Sequence, residues 1–245
     1  MNRVDVLGVG FDPVDLEDAT ASVVDLVRLP GPHLVVTANV ELVMRARRAP
    51  DLQALLRRAA LVVSDGVGVV WGARQLGRRL PGRVPGIDLA DRLCGEAARR
   101  GWRIFLLGGA PGVAMAAAAR LRAQHPGILV VGSAPGYFSP GDEAAVLAAI
   151  RGAAPTLLLA GLGSPWQEHW LDRHLDALGV PVAIGVGGTL DVWAGRVRRA
   201  PRTVQRLGLE WCYRLIRQPG RARRQIAIPR FVWAVWQERR RAGRC

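Results

Sequence analysis

The sequence predicts an α/β protein with a doubly wound, mostly parallel, Rossmann-like sheet followed by a basic helical segment. Short apolar runs alternate with longer segments of helical composition, the strand-like runs stop after Asp191, and arginine then accumulates. With 245 residues, 50% of them hydrophobic, the chain is long enough to bury a full core. We expect two parts, an α/β core over residues 1–195 and an Arg/Trp-rich helical appendage over residues 196–245.

Several short runs rich in Val, Leu and Ile are predicted to form buried parallel strands. They lack the alternation of polar and apolar residues found in a strand with one face in water, so both faces should be covered by helices. The runs are Val4 to Val9, His33 to Thr37, Leu61 to Val63, Arg103 to Leu107, Ile128 to Val131, Thr156 to Ala160 and Pro181 to Val186.

The segments between these runs have helical composition, and each is opened or closed by Gly, Pro, Asp or Ser. Alternating strands and helices favour parallel strands joined by helical crossovers, which is the arrangement of a doubly wound sheet. We expect helices that include Val40 to Arg48, Val113 to Ala123, Asp142 to Ile150 and Gln167 to Leu175.

The predicted appendage combines two helical patterns with a high positive charge. It holds 15 arginines against two glutamates, a net charge of +13, whereas residues 1–195 carry a net charge of +1. The patterns cover about Thr203 to Arg217 and Arg223 to Arg241, separated by Pro219-Gly220. Trp and Arg together on amphipathic helices are typical of a membrane interface, although a helix pair packed on the sheet with a solvated basic face fits nearly as well. Its predicted partner is a polyanionic surface, either anionic lipid or nucleic acid.

The predicted location is the cytoplasm, with the protein peripheral on the inner face of the cell membrane. No apolar stretch approaches the roughly 18 to 20 residues needed to cross a bilayer, and the first residues do not resemble a signal peptide. The three cysteines, Cys94, Cys212 and Cys245, lie far apart, so we expect reduced thiols rather than disulfides or a zinc site.

Several classes of enzyme are excluded by what the sequence lacks. All 34 basic residues are arginine, which removes mechanisms that need a lysine amine. A G-x-S-x-G motif, a D-x-D pair and a metal-spaced histidine cluster are absent. The loop Gly108 to Gly112 is not G-x-G-x-x-G, which argues against NAD but leaves open a nucleotide phosphate at the following helix. We therefore predict no cofactor and no metal, with arginines neutralising any leaving phosphate.

The candidate site lies at the carboxyl ends of the strands, where ligands bind in open α/β sheets. Asp65 follows the third run, and the adjacent Gly66 permits close approach by a ligand, as a general base for a substrate hydroxyl requires. Capping of the next helix by Ser64 or Asp65 explains the same pattern equally well. Thr37 and Asn39 follow the second run; they could bind a sugar or hold Asp65, but capping at the strand end is the favoured interpretation for both.

Arg83 lies in a loop framed by Pro and Gly, which fixes one arginine in place, as recognition of a diphosphate requires. An ordinary surface arginine is the alternative. Loops after later strands offer backbone N–H groups and a carboxylate near a ligand, with tight helix-on-strand packing as the alternative. They provide Gly109, Gly187 and Asp191 as predicted substrate contacts.

A larger set of motifs occurs in a fixed order and spacing. They are Thr37-Ala38-Asn39, Ser64-Asp65-Gly66 through Trp71, Arg83-Val84-Pro85-Gly86, Gly161 to Gln167, Gly185 to Gly195 with Arg199-Ala200-Pro201, and Gly208-Leu209-Glu210-Trp211 with the Arg-rich helices. Together they closely resemble the WecG/TagA/CpsF glycosyltransferases, from about residue 3 to residue 241.

This resemblance implies an inverting, metal-independent transferase. It would use a UDP-sugar, commonly UDP-N-acetylmannosamine, and an acceptor of undecaprenyl-diphosphate-linked N-acetylglucosamine; glucose, glucuronic acid and N-acetylmannosaminuronic acid remain open as the transferred sugar. By the same resemblance Asp65 is the base and Arg83 binds the diphosphate, while Asn39 and Gln167 line the site. Arginines that would help close it are Arg214, Arg221 and Arg224.

The alternative hypothesis is an arginine-rich nucleic-acid-binding protein on an α/β scaffold. The aromatic residues of the appendage argue against it, because they are tryptophans in aliphatic helices rather than a stacking platform on strands. We therefore predict a lipid-linked acceptor, a UDP-sugar and an anionic membrane surface as partners, and no nucleic acid; assembly into a homo-oligomer is left open.

Overall fold

The computed structural model describes residues 2–217 and 225–242. Most strands coincide with the predicted apolar runs to within a few residues. The strands are β1 (Val4–Val6), β2 (Val9–Phe11), β3 (His33–Ala38), β4 (Leu61–Ser64), β5 (Arg103–Gly108), β6 (Leu129–Ala134), β7 (Leu157–Gly161) and β8 (Val182–Gly185).

Six of these strands form one parallel sheet in the order β4-β3-β8-β7-β5-β6, which confirms the predicted doubly wound fold. Alternate residues of its strands point to opposite faces. Val36 and Val62 belong to the apolar cluster on one face, and their neighbours Val35 and Val63 belong to the cluster on the other. Both faces are therefore covered, which explains the continuous apolar runs in the sequence.

The first predicted strand is wrong in part, because the run Val4 to Val9 is not a strand of the parallel sheet. The chain reverses at Leu7 and Gly8, which have positive φ values of 55° and 88°, and β1 pairs with β2 in an antiparallel hairpin. Positive φ at both central residues matches the twist of a two-residue hairpin turn. Asp12 then bonds to the edge strand β4, donating from its N to Val62 O at 2.9 Å and accepting from Val62 N at 2.7 Å.

Helices cover both faces of the sheet, and those predicted from the sequence are present with boundaries that differ by a few residues. The helices are α1 (Leu16–Arg28), α2 (Val40–Ala46), α3 (Pro50–Arg58), α4 (Val67–Gln75), α5 (Gly86–Arg100), α6 (Val113–Gln124), α7 (Glu143–Ala153), α8 (Trp166–Leu178), α9 (Thr189–Trp193), α10 (Arg202–Arg206), α11 (Glu210–Arg217) and α12 (Ala227–Ala242).

The C-terminal helices differ from the prediction in two places. The first pattern is divided into α10 and α11, because Gly208 between them has a φ of 71°, which a continuous helix does not allow. The second begins at Ala227, so Pro229 falls in its first turn, where its missing N–H costs no helical hydrogen bond. The predicted break at Pro219-Gly220 lies outside the described residues.

Helix α12 packs against α2 and α4, and its Phe231, Ala234 and Val235 are buried in the apolar cluster on that face of the sheet. Gly72 of α4 makes the close approach possible, because a Cβ there would lie 2.5 Å from Phe231 Cζ. The division of the chain at residue 195 stays a prediction, but α12 shares the core of the preceding residues.

Candidate active site

Hydrogen bonds between neighbouring strands bring the predicted site loops to the same edge of the sheet. Asp65 N donates to Ala38 O at 2.9 Å, which fixes the start of the β4–α4 turn beside the end of β3. Thr37 Oγ1 donates to Gly185 O at 2.9 Å and joins β3 to β8. Thr37 is buried, so its hydroxyl holds two strands of the site in register.

The turn after β4 is built by glycine, and neither Ser64 nor Asp65 caps the following helix. The N-cap of α4 is Gly66, with a φ of 103° and no side-chain capping bond. Ser64 Oγ donates instead to Gly82 O at 2.9 Å, and Val84 N donates to Ser64 O at 2.7 Å. The capping alternative for this motif is therefore wrong, and half-buried Asp65 is left at the edge of the sheet.

Asn39 caps the helix that follows β3, and its predicted contact with a sugar stays a prediction. It is the N-cap of α2, and its Oδ1 accepts a hydrogen bond from Leu42 N at 3.0 Å. Because this bond uses only the side-chain oxygen, the amide Nδ2 is the part of Asn39 that suits donation to a sugar hydroxyl.

Gln167 connects the start of α8 to the loop between β8 and α9. It is almost fully buried; its Oε1 accepts from Gly187 N at 3.2 Å and its Nε2 donates to Glu168 Oε1 at 2.8 Å. Gly185 leaves room for this amide, since a Cβ there would lie 2.7 Å from Gln167 Nε2. Gln167 thus holds Gly187, which has a φ of 55°, while its lining of the site stays a prediction.

Glu168 is a buried carboxyl that the sequence analysis did not single out. Burial raises its pKa, and the hydrogen bond from Gln167 acts in the opposite direction. Ser164 also lowers the pKa, yet no hydrogen bond of normal geometry to a described residue reaches Ser164 Oγ or Glu168 Oε2. The indication of Glu168 in the sequence was its position directly after Gln167. In the structure it is one of the buried residues of α8.

The switch point of the sheet lies between β5 and β7, where the chain leaves these two neighbouring strands in opposite directions, to β6 and to β8. Such a switch point is the expected place for a ligand. A Cβ at Gly108 would lie 2.5 Å from Gly161 O, and Gly109 N donates to Gly161 O at 3.3 Å. The next loop is tied to the same place, because Gly136 N donates to Gly109 O at 2.8 Å.

Two aromatic side chains near this switch point were missed by the sequence analysis. Tyr137 is 79% exposed directly after Gly136, and Trp166 is 45% exposed at the start of α8. Phe138 packs against Trp166 with ring centroids 5.5 Å apart, which connects the two loops. The position of Tyr137 just beyond β6 was the available signal, since all parallel strands end at this edge.

Arg83 is held in place by the C-terminal part of the chain. Its Nη1 donates to Glu210 Oε2 at 2.6 Å and its Nη2 donates to Gln205 O at 2.9 Å. Arg199 donates from Nη1 to Asp88 Oδ1 at 2.5 Å and from Nη2 to Asp88 Oδ2 at 2.9 Å. Its Nε lies 3.5 Å from Glu210 Oε1. Arg83 is therefore fixed beside the sheet, as predicted from its loop, but by ion pairs as well as by Pro and Gly.

Several predicted site residues are placed only in part. Asp191 lies in the first turn of α9, and its main-chain oxygen accepts from Arg196 N at 2.9 Å and Val197 N at 3.2 Å. Arg214 belongs to α11, but its side chain is outside the described part of the structure. The remaining predicted arginines, Arg221 and Arg224, lie outside the described residues altogether.

Within residues 2–217 and 225–242, no three His, Cys, Asp or Glu side chains are grouped so that they could hold a metal ion. Within the same residues, no helix is both long and apolar enough to cross a membrane. An open parallel sheet with a switch point, a carboxylate at its edge and a fixed arginine is typical of an α/β protein that binds its ligand at the carboxyl edge of the sheet.

Comparison with known proteins gives the family. The chain belongs to the glycosyl transferase WecG/TagA/CpsF family, whose model matches residues 4–244. It is also similar to an N-acetylglucosaminyldiphosphoundecaprenol N-acetyl-beta-D-mannosaminyltransferase from Bacillus spizizenii, with 35% identity over 210 residues that cover 86% of this chain and 81% of the relative. The protein is therefore a glycosyltransferase, and membership of this family supports the transferase interpretation over nucleic-acid binding.

Proposed function

We propose that the protein transfers N-acetylmannosamine from UDP to undecaprenyl-diphosphate-linked N-acetylglucosamine, with inversion at the anomeric carbon and without a metal. The similarity to the Bacillus spizizenii transferase, whose name specifies this sugar and this acceptor, supports the choice of substrates. The observation that carries the chemistry is the placement of Asp65 at the carboxyl edge of the sheet, in the turn between β4 and α4 and beside the end of β3.

In the proposed reaction Asp65 is the general base. Its carboxylate removes the proton from the attacking hydroxyl of the acceptor sugar, and the hydroxyl oxygen forms a bond to the anomeric carbon of the donor. The bond from that carbon to the β-phosphate oxygen of UDP breaks at the same time, so the electron pair leaves with UDP and the configuration is inverted. Asn39 Nδ2, next to Asp65 at the end of β3, would orient a sugar hydroxyl.

The leaving UDP gains negative charge that cationic side chains must stabilise if no metal does so. Arg83 is fixed beside the edge of the sheet and presents a guanidinium, which matches the oxygens of a diphosphate. The single positive charge of Arg83 is small compared with the negative charge of the leaving diphosphate. Arginines of the C-terminal part are proposed to complete the site, namely Arg214, Arg221 and Arg224.

The switch point between β5 and β7 is the proposed binding site of the nucleotide. Glycines at positions 108, 109 and 161 allow the loops at this edge to pack closely together, and α6 begins at Val113 with the N–H groups of its first turn at the same edge. Exposed Tyr137 can stack on a nucleobase, since every base has an apolar face. Gly187 and Asp191 would contact the donor from the neighbouring loop.

The proposed location is the cytoplasmic face of the membrane, held by the C-terminal helices. Their exposed surface includes Trp211 and Ile216 of α11 and Trp233 and Trp236 of α12. Arg240 lies over the Trp236 ring at 3.2 Å from its centroid, so charge and aromatic surface coincide. Trp and Arg in this combination favour the boundary between lipid headgroups and acyl chains, where the acceptor's diphosphate lies.

The test is to incubate the protein with a panel of UDP-sugars and a short-chain lipid diphosphate N-acetylglucosamine, with product read by mass spectrometry. We expect a mass increase of one N-acetylhexosamine with UDP-N-acetylmannosamine, unchanged by EDTA. Transfer of glucose or a uronic acid instead would correct the sugar. Loss of activity in EDTA, restored by magnesium or manganese, would contradict the metal-independent mechanism.

A further inference from the structure

Glu210 lies between two arginines in a row of four charged side chains that joins the core to α11. Its Oε2 accepts from Arg83 Nη1 at 2.6 Å, while its Oε1 lies 3.5 Å from Arg199 Nε. Arg199 is anchored by its fork onto Asp88. The four side chains are only 16–28% exposed, so solvent ions screen these charges much less than those of a surface pair.

The two arginines hold Glu210 unequally. Arg83 makes a short charge-assisted hydrogen bond with it, whereas the Nε of Arg199 is buried, lies 3.5 Å from the other carboxylate oxygen and makes no hydrogen bond of normal geometry with any described residue. A buried N–H without a hydrogen bond is unfavourable. Rotation of the Glu210 side chain toward Arg199 would satisfy this N–H and release Arg83 Nη1, so the carboxylate has a second position available beside its present one.

We propose that Glu210 is an internal substitute for the nucleoside diphosphate: it holds Arg83 in the empty enzyme and is exchanged for the diphosphate on binding, moving toward Arg199 Nε. This rests on the proposed function, in which Arg83 binds the diphosphate. A diphosphate offers more charge and more acceptor oxygens than one carboxylate, so it displaces Glu210 from the guanidinium. Glu210 is a positioning residue, because it acts through Arg83.

The exchange also links the site to the C-terminal part of the chain. Glu210 is the first residue of α11, and Arg83 Nη2 is bonded to the main-chain oxygen of Gln205 in α10. A diphosphate that takes over Arg83 therefore changes the contacts that hold both helices on the core. Competition by Glu210 weakens the binding of UDP-sugar and product UDP alike, which speeds release of the product.

The experiment is calorimetric titration of the full chain with UDP. If Glu210 occupies Arg83 in about nine of ten empty molecules, its removal strengthens UDP binding about tenfold. We therefore expect Glu210→Gln to bind UDP about tenfold more tightly and to lower both KM for the UDP-sugar and kcat, the latter because UDP leaves more slowly. Glu238→Gln removes the same charge from α12 and is the matched control, with unchanged binding.

Arg83→Gln separates this inference from the proposed function. It should weaken UDP binding, and adding Glu210→Gln to it should give no gain. Unchanged or weaker UDP binding by folded Glu210→Gln, alongside weakened binding by Arg83→Gln, overturns the substitute role alone. Normal UDP binding by Arg83→Gln overturns both. If Glu210→Gln does not fold, Glu210→Asp, whose shorter side chain withdraws the carboxylate from Arg83, must show the tightening instead.

Discussion

The carboxyl edge of the sheet and the C-terminal helices position polar groups by different means. At the edge, strand-like hydrogen bonds such as Asp65 N to Ala38 O and Val186 N to Ala160 O fix each loop, so the register of the sheet sets the site. The helices α10 and α11 are held by ion pairs around Glu210, and α12 by the burial of Phe231 and neighbouring residues. A few side chains thus hold the C-terminal part, and it should separate from the core more easily than the edge distorts.

The largest expected effect tests the edge alone. Asp65→Asn should lower turnover about 100- to 10,000-fold, the range for loss of a general base, while UDP binding and melting temperature stay normal. Single-turnover kinetics and calorimetry measure the two quantities. Asp25→Asn, at an exposed carboxylate of α1, is the control with normal turnover. Near-normal turnover of Asp65→Asn would remove this residue from the mechanism.

The next effect tests how α12 is attached. Phe231→Ala should destabilise the protein by about 3–5 kcal/mol, because it leaves a cavity between α12 and Gly72 in a fully buried position. Val232→Ala, on the exposed side of the same helix, should change stability by less than about 0.5 kcal/mol. Urea unfolding measures both. Equal effects of the two changes would show that α12 is not docked as described.

A smaller effect tests what the exposed face of α12 does. Trp233→Ala with Trp236→Ala should weaken binding to anionic vesicles about tenfold or more, since burying one large apolar side chain contributes about 1.5–3 kcal/mol. Met115→Ala, exposed on α6 at the other face of the sheet, should leave vesicle binding unchanged. Cosedimentation across lipid concentrations gives the partition constants, and undiminished binding by the double variant would argue against anchoring through α12.

The smallest effect concerns the buried carboxyl behind the edge. Because burial raises the pKa of Glu168, the folded state holds its proton more tightly, and stability falls as pH rises above the ordinary value of 4.5. Glu168→Gln cannot ionise, so it should be more stable than the unaltered protein at neutral pH, with the difference vanishing in acid. Thermal melting from pH 4 to 8 measures this, with exposed Glu17→Gln as control; a pH-independent difference would contradict the assignment.

The sequence predicts the carboxyl edge of the sheet better than it predicts the contacts of the C-terminal helices. The parallel strands and the loops at their carboxyl ends were predictable, because apolar runs and chain order determine where such strands end. The antiparallel hairpin was missed, since Leu7 gives no sign of the positive φ it adopts. The contacts of Arg83 with Glu210 and Gln205 join residues more than 120 positions apart, and no local pattern encodes such pairing. Capping by Ser64 or Asp65 was equally undecidable, because it depends on how the loop around Gly82 folds back.

The close packing at Gly72 fixes the distance along α4 between the start of this helix and its contact with α12. The helix begins two residues beyond Asp65 and meets Phe231 of α12 at Gly72, seven residues further along than Asp65. At a rise of about 1.5 Å per residue, the five steps from Val67 to Gly72 separate the start of α4 from the docking point of α12 by about 7.5 Å along one rigid helix. Under the proposed membrane association and the proposed role of Asp65, this helix would set the height of Asp65 above the lipid surface, and acceptors would be selected by how far their sugar projects from the bilayer.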